Sequence, residues 1–308
     1  MTYPVGAPTL SGALLTIDTL LKSPTQIRRR LQTLSDLRFV ADQLLTQRFR
    51  SSGGAVLVEQ NPTVINTRAV RAVAPGAEYP YANPSDGNPS LLAVQNWGQA
   101  ERLTDARIKR HINGGDELDR VLRVLLNSII AKVDAVAIAA IASNVTATQA
   151  AIAGWEGEDS RMLRDIELAK AQMTGLNRGL KPDTILMSDE KGAYFKSDLL
   201  VQAARRRETT DNPVYTGEID RVAGLVPLYV PAANLPTDDV WIVDSTQLGG
   251  MADEQEVDPG YTVAEMGVQV QSQRKPFNDA WDVWARRITV PVVVETGAGI
   301  RITDTDGS

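Results

Sequence analysis

Asp116-Glu117-Leu118-Asp119-Arg120-Val121-Leu122-Arg123-Val124-Leu125-Leu126-Asn127-Ser128-Ile129-Ile130-Ala131-Lys132-Val133-Asp134-Ala135-Val136-Ala137-Ile138-Ala139-Ala140-Ile141-Ala142-Ser143 is one unbroken amphipathic pattern. Leu118, Leu122, Leu125, Ile129, Val133 and Val136 recur at the 3.6-residue period of a helix. Asn113-Gly114-Gly115 breaks the chain before it, Asp116 is the predicted N-cap, and Glu117 and Asp119 put negative charge on the first turn, where the helix dipole favours it. At 1.5 Å per residue such a helix is about 40 Å long, more than twice the usual globular length. It needs an extended surface to lie on.

Upstream the chain reads as extended. Ala55-Val56-Leu57-Val58 and the stretch from Val64 to Val73 have strand composition. Pro75 to Pro89 is crowded with breakers and contains Asp86-Gly87, a pair suited to the positive φ of a tight hairpin turn. Leu91 to Ala106 reads as the returning arm. A hairpin so rich in proline has little core of its own and is predicted to project. Before it, Gln26 to Arg48 sets Ile27, Leu31, Leu34, Leu37, Val40 and Leu44 at helical spacing. Between Lys22 and Arg50 seven basic residues, Arg28, Arg29 and Arg30 among them, face only Asp36 and Asp42. Such a basic face is either simply solvated or docks on a neighbouring subunit or an anion.

Downstream, after a loop at Gly154 to Asp159, helices and strands alternate. Ser160 is the predicted cap of a helix ending near Gly175, Asp183 to Met187 is a short buried strand, and Asp189 opens a helix through Leu200. Arg205-Arg206-Arg207 is a basic cluster before a loop. Ala223 to Val230, Val240 to Asp244 and Ile300 to Ile302 read as strands, and Tyr261 to Gln273 and Trp281 to Val294 as long β-segments.

Composition removes most chemistry. A chain of 308 residues allows one large domain or two ordinary ones. With no cysteine there is no disulfide, thiolate zinc site, iron–sulfur cluster or cysteine nucleophile. His111 is the single histidine, reads as a surface or hinge residue, and leaves only one candidate base for any triad. A net charge of -6 and an aromatic content of 5% argue against a chain that coats or stacks on nucleic acid. Residues 1–21 carry Asp18 and no basic n-region, which argues against a secretory signal. The longest uncharged stretch, Ala135 to Trp155, is diluted by polar residues and reads as helix end plus loop, so no membrane partner is expected. The phosphate-loop, dinucleotide-binding, serine-elbow and zincin motifs are all missing. The run from Asp253 to Asp258 lacks the glycine and spacing of a calcium loop and reads as a solvated acidic loop; Asp238-Asp239 reads as a turn. No catalytic, cofactor-binding or metal-ligating residue is assigned. A basic arm, a projecting hairpin, an overlong helix and long β-segments bury poorly in one subunit and make sense where neighbours complete them. The residues alone therefore point to a soluble, intracellular, self-assembling structural protein.

In that order the segments resemble the major capsid proteins of tailed bacteriophages, with the Hong Kong 97-type fold. The resemblance runs from about Arg50 to the C-terminus. It is carried by the hairpin from Glu78-Tyr79-Pro80 to Trp97, the "spine" helix from Asp116, Pro182-Asp183-Thr184-Ile185-Leu186-Met187-Ser188, Ala223-Gly224-Leu225-Val226-Pro227, and Val243-Asp244 through Gly249-Gly250-Met251. It implies an α+β fold with an N-terminal arm (1–48), P-domain strands (49–71), an E-loop hairpin (72–104) and a P-domain segment with the spine helix (105–144). An A-domain (145–265), further P-domain strands (266–291) and a C-terminal A-domain segment (292–308) complete it.

The implied function is a non-enzymatic shell subunit that forms hexamers and pentamers of an icosahedral capsid around double-stranded DNA. It would be assembled in the host cytoplasm and located in the virion. The implied partners are further copies of the chain, a portal protein, a decoration protein, DNA held by non-specific contact and, because the arm starts almost at Met1, a separate scaffolding protein. Subunit contacts are expected at Arg28, Arg29, Arg30, Tyr79, Tyr81, Asn83, Asp86, Gly87, Asn88, Arg205, Arg206 and Arg207. The type member cross-links its subunits through an E-loop lysine, an asparagine and a catalytic glutamate. Here no lysine lies between Glu78 and Arg107, and the strand that would carry the glutamate reads Trp284-Ala285-Arg286-Arg287-Ile288. The same fold serves encapsulin-type nanocompartments, the nearest alternative; a metal-dependent hydrolase using the acidic loops is the rival from another class.

Overall fold

The structure, a computed structural model, describes residues 39–306 except 67, 83–85, 111–113, 158, 199–200, 202–220, 255–256 and 264–266. In chain order the first half holds α1 (Ala41–Leu44), β1 (Gln47–Ser51), β2 (Ala55–Gln60), β3 (Asn88–Ala93), β4 (Gln95–Thr104), α2 (Asp105–Arg110) and α3 (Gly114–Asn144). Then come β5 (Thr148–Ala150), α4 (Met162–Gly175), β6 (Thr184–Ser188), α5 (Asp189–Ser197), β7 (Val226–Val230) and β8 (Val240–Val243). β9 (Gly249–Glu254), β10 (Thr262–Val263), β11 (Gln269–Lys275), β12 (Ala280–Val293) and β13 (Gly299–Thr303) end the chain.

The long helix is α3, 31 residues and about 46 Å. Asp119–Asn144 is long and apolar enough to cross a membrane, but its stripe of Val121, Leu122, Leu125, Ile129, Val133 and Ile141 is buried in the main core, where α3 lies along β12 and β4. Each such side chain contributes about 2 kcal/mol on burial. The surface this helix requires is a six-stranded sheet ordered β1-β9-β12-β11-β10, with β4 also paired to β12. β12 is its backbone: it pairs with β4 from Ala280 to Thr289, with β11 through Arg286, and with β9 from Thr289 onward. Arg287 and Ile288 therefore sit where one ladder hands over to the next. β1 joins β9 in parallel, at a spacing only glycine permits: a Cβ on Gly250 would lie 2.1 Å from the Gln47 carbonyl oxygen. The second sheet, β5-β13-β8-β6-β7, buries all of β6 and has its own core with Ile166 of α4 and Phe195 of α5. β2 and β3 form a separate two-stranded ribbon.

Several sequence expectations are corrected. Val64 to Val73 forms no strand among its described residues. Asp86-Gly87 is not a two-residue turn, because β2 rather than that stretch pairs with β3, with Gln60 opposite Asn88 and residues 61–87 between them. Gly87 is needed instead for close approach, since a Cβ there would lie 2.3 Å from the Gln60 carbonyl oxygen. The returning arm is two strands, one paired to β2 and one to β12. Helix α3 starts at Gly114, so Asp116 falls in its first turn rather than at its cap. Ser160 does not cap α4; Arg161 holds that position without a side-chain bond, and the Ser160 hydroxyl faces Asp198 at 3.4 Å. Of the helix expected over Gln26 to Arg48, residues 26–38 lie outside the described residues. The rest is the short α1 and then β1, into which Arg48 is drawn by its parallel partner.

Candidate functional site

The ribbon has two unlike faces. Val58, with partly buried Val56 and Leu92, packs on Ala252 and Val292 of the main sheet. On the opposite face Leu57 and Leu91 stand directly across from each other and are 69% and 72% exposed. The connection at the ribbon's end adds exposed Val64, Ile65, Val70, Tyr79 and Tyr81, and the Arg68 guanidinium donates to the Tyr81 carbonyl. Scattered exposed apolar residues are ordinary, but seven on one ribbon and its connection, two of them a cross-strand pair, ask for a partner.

A second projection is the turn between β11 and β12, where Phe277 is fully exposed and Asp279 takes a left-handed φ of 42°. Its base is rigidly braced. Arg274 donates two hydrogen bonds to Asp105 at 2.5 and 2.6 Å. Arg102 donates to both oxygens of Asp282 at 2.7 and 3.0 Å and so holds the Asp282 carboxyl below the usual range.

The third feature anchors the entry of the N-terminal segment. Arg287 is 1% exposed and donates to Asp42 at 3.0 and 3.2 Å and to Asp253 at 3.3 Å, with its guanidinium 4.5 Å from the Phe39 ring centre. Arg48 also pairs with Asp42, at 2.8 Å. From α3, buried Asp134 accepts the backbone N–H groups of Val40 and Ala41 at 3.2 and 2.9 Å. Burial pushes the Asp134 carboxyl up to about 6 against the pull of those bonds. The expected solvated acidic loop is corrected at its start, where Asp253 and Glu254 belong to β9 and Asp253 lies against Arg287, while Asp258 remains exposed and accepts from Arg286 at 2.5 Å.

Of the expected contact residues, Tyr79 and Tyr81 lie on the exposed connection, Asn88 opens β3, and Asp86 and Gly87 precede it. Arg28, Arg29, Arg30, Asn83, Arg205, Arg206 and Arg207 lie outside the described residues, as does His111. Leu57, Leu91 and Phe277 were not singled out by sequence reasoning. The signal for the leucines was present, since Ala55-Val56-Leu57-Val58 is apolar on both faces of a strand that has only one face to bury.

Residues 87–302, more than two thirds of the chain, match the model of a family described as phage capsid protein. No curated protein matches. Among solved structures, the capsid of cyanophage P-SCSP1u superposes with a TM-score of 0.61 at 11% identity, covering 86% of this chain and 88% of that one. A virus-like particle from Pyrococcus furiosus gives 0.58 at 10% identity over 90% and 98%. A structure of Mycobacterium phage Che8 gives 0.56 at 13% identity over 88% and 93%. At these identities the likeness is one of fold, and it is the Hong Kong 97-type α+β arrangement of long helix, ribbon and two sheets. With the family match covering the spine helix and most of both sheets, this chain belongs to the phage capsid protein family.

Proposed function

We propose that the protein is the major subunit of a tailed-phage head, assembling into hexamers and pentamers of an icosahedral shell around double-stranded DNA. The observation that carries this is the ribbon, whose inner face is anchored on the main sheet while Leu57 and Leu91 are left on the outside, covered by nothing among the described residues. Tyr79, Tyr81, Asp86, Gly87 and Asn88 are assigned to the same contact, and the basic residues Arg28 to Arg30 and Arg205 to Arg207 to contacts made by the arm and the A-domain. The division into arm, E-loop, P-domain and A-domain at the boundaries given above belongs to this reading, which the separate cores of the two sheets support. A scaffolding protein, a portal and a decoration protein are its expected partners, and assembly in the host cytoplasm its setting. Repeated small interfaces close such a shell without turnover of any substrate. Electron microscopy and light scattering of the purified chain test it: particles of megadalton mass support the shell, whereas a small oligomer at all concentrations overturns it. The other shell reading that the same fold allows is a nanocompartment that packages protein. Particles that carry protein cargo and no DNA after nuclease treatment would establish it.

A further inference from the structure

Strand β4 is hydrogen-bonded along one side only. Ten consecutive pairs, from Thr104 opposite Ala280 to Gln95 opposite Thr289, join it to β12 without a bulge, and among the described residues no other strand pairs with it. Folded proteins blunt such edges with lysine, proline, bulges or inward charges. Gln95-Asn96-Trp97-Gly98-Gln99-Ala100 has none of these, and all but Trp97 are exposed. The same stretch walls two grooves of about 310 Å³ each. One lies toward α3, at Ser128, Ile129 and Lys132, with the Lys132 ammonium 5.2 Å from the Trp97 ring centre. The other lies at Tyr261, Trp284 and Arg286, with the Arg286 guanidinium 3.7 Å from the Tyr261 ring centre.

We propose that the free edge of β4, from Gln95 to Ala100, is a strand-addition site for a second copy of this chain. An added strand takes its affinity from the main-chain ladder and its specificity from side chains that alternate between the two sheet faces, and here each face has a groove waiting. The groove toward α3 carries the exposed Lys132 ammonium, which complements a chain of net charge -6, while Arg286 in the other groove is already paired with Asp258. Six residues at about 3.4 Å each and a strip about 10 Å wide give roughly 200 Å² per partner, well under the about 800 Å² of a stable pairwise complex. Such a contact holds only where it is repeated among many copies. The inference therefore rests on the shell reading, and names one of its interfaces.

Hydrogen exchange read by mass spectrometry on the full chain tests it, comparing purified particles with subunits dissociated from them. Backbone amides in 95–100 should exchange at least about tenfold more slowly in the particle. Closed particles whose 95–100 amides exchange at the subunit rate overturn the proposal while leaving the shell reading intact; a chain that never assembles overturns both. Protection that develops only on adding a different protein overturns the assignment to a second copy. The exposed pair Gln95→Lys with Gln99→Lys should leave thermal unfolding unchanged and cut particle yield about tenfold, whereas Gln95→Asn with Gln99→Asn should assemble normally. Full yield from the lysine pair also overturns it.

Discussion

Arg287 occupies the gap in β12 between its pairing with β11 and its pairing with β9, and Asp42 and Asp253 meet its guanidinium there. A guanidinium removed from water is tolerated only while those carboxylates are paired to it. Arg287→Met should therefore cost about 3 kcal/mol, read by urea denaturation, and the triple variant with Asp42→Asn and Asp253→Asn should recover most of it. A loss of under about 0.5 kcal/mol would show that the cluster only decorates the fold. Asp134 has the opposite problem. Its carboxyl is raised from 3.8 to about 6 by burial, so the folded state holds its proton more tightly than the unfolded chain does. Stability from this group is greatest below the unfolded value and falls as pH rises from about 4 to about 6, by about 3 kcal/mol in all. Above about 6 it is flat. Asp134→Asn removes the titration, so the difference in unfolding free energy between variant and parent should change over that window and be constant above it. A difference independent of pH between 4 and 7 would refute the account.

At the scale of elements, α3 was legible because its stripe needs no information beyond its own period, and every position of that stripe described in the structure is buried or half-buried. β12 was legible as a long β-segment, although its alternation changes phase at Arg286-Arg287, where Arg287 is buried and Ile288 only half-buried. The ribbon was not, because which strand pairs with β3 depends on Val56, Val58 and Leu92 finding Ala252 and Val292 far along the chain. The local turn signal at Asp86-Gly87 lost to that register. Arg287 shows the same limit: the pair Arg286-Arg287 showed that a glutamate was missing from its strand, and nothing local revealed Asp42 245 residues away. The ribbon's outer face supplies the element-scale prediction. Leu57→Ser with Leu91→Ser removes apolar surface that the subunit never buried, so its unfolding midpoint should shift by the equivalent of less than about 0.5 kcal/mol. Particle yield should nevertheless collapse, measured by sedimentation, because the lost contact recurs at every interface of the shell. Normal particles from this variant would remove the ribbon face from the assembly surface. Gly87→Ala should act differently, loosening the ribbon itself, because its Cβ collides with the Gln60 backbone.

For the whole molecule, the question the residues answer most directly is how a finished shell is held together. An isopeptide bond needs an unprotonated lysine amine, a side-chain amide on a neighbour, and a carboxylate in a dry pocket to take up protons. The ribbon and its connection, residues 55–93, contain no lysine at all. Lys132 of α3 is set over the Trp97 ring, and Lys191 is buried with its ammonium on the Thr305 carbonyl and the Asp306 carboxylate. In the stretch of β12 where the resemblance asks for a carboxylate stand Arg286 and Arg287, whose guanidiniums stay charged and cannot serve as a base. The absence of cysteine excludes disulfides between subunits. What is left to hold copies together is apolar burial, backbone pairing and charge, which gain strength by repetition. Particles boiled in detergent should therefore run as a single band at the 33.4 kDa monomer mass. Salt should loosen them before heat unfolds the subunits, since exposed charge contacts are screened while the buried cores are not. A ladder of covalent pentamers and hexamers in that gel would mean that an amine and a carboxylate meet across an interface that the single subunit does not reveal.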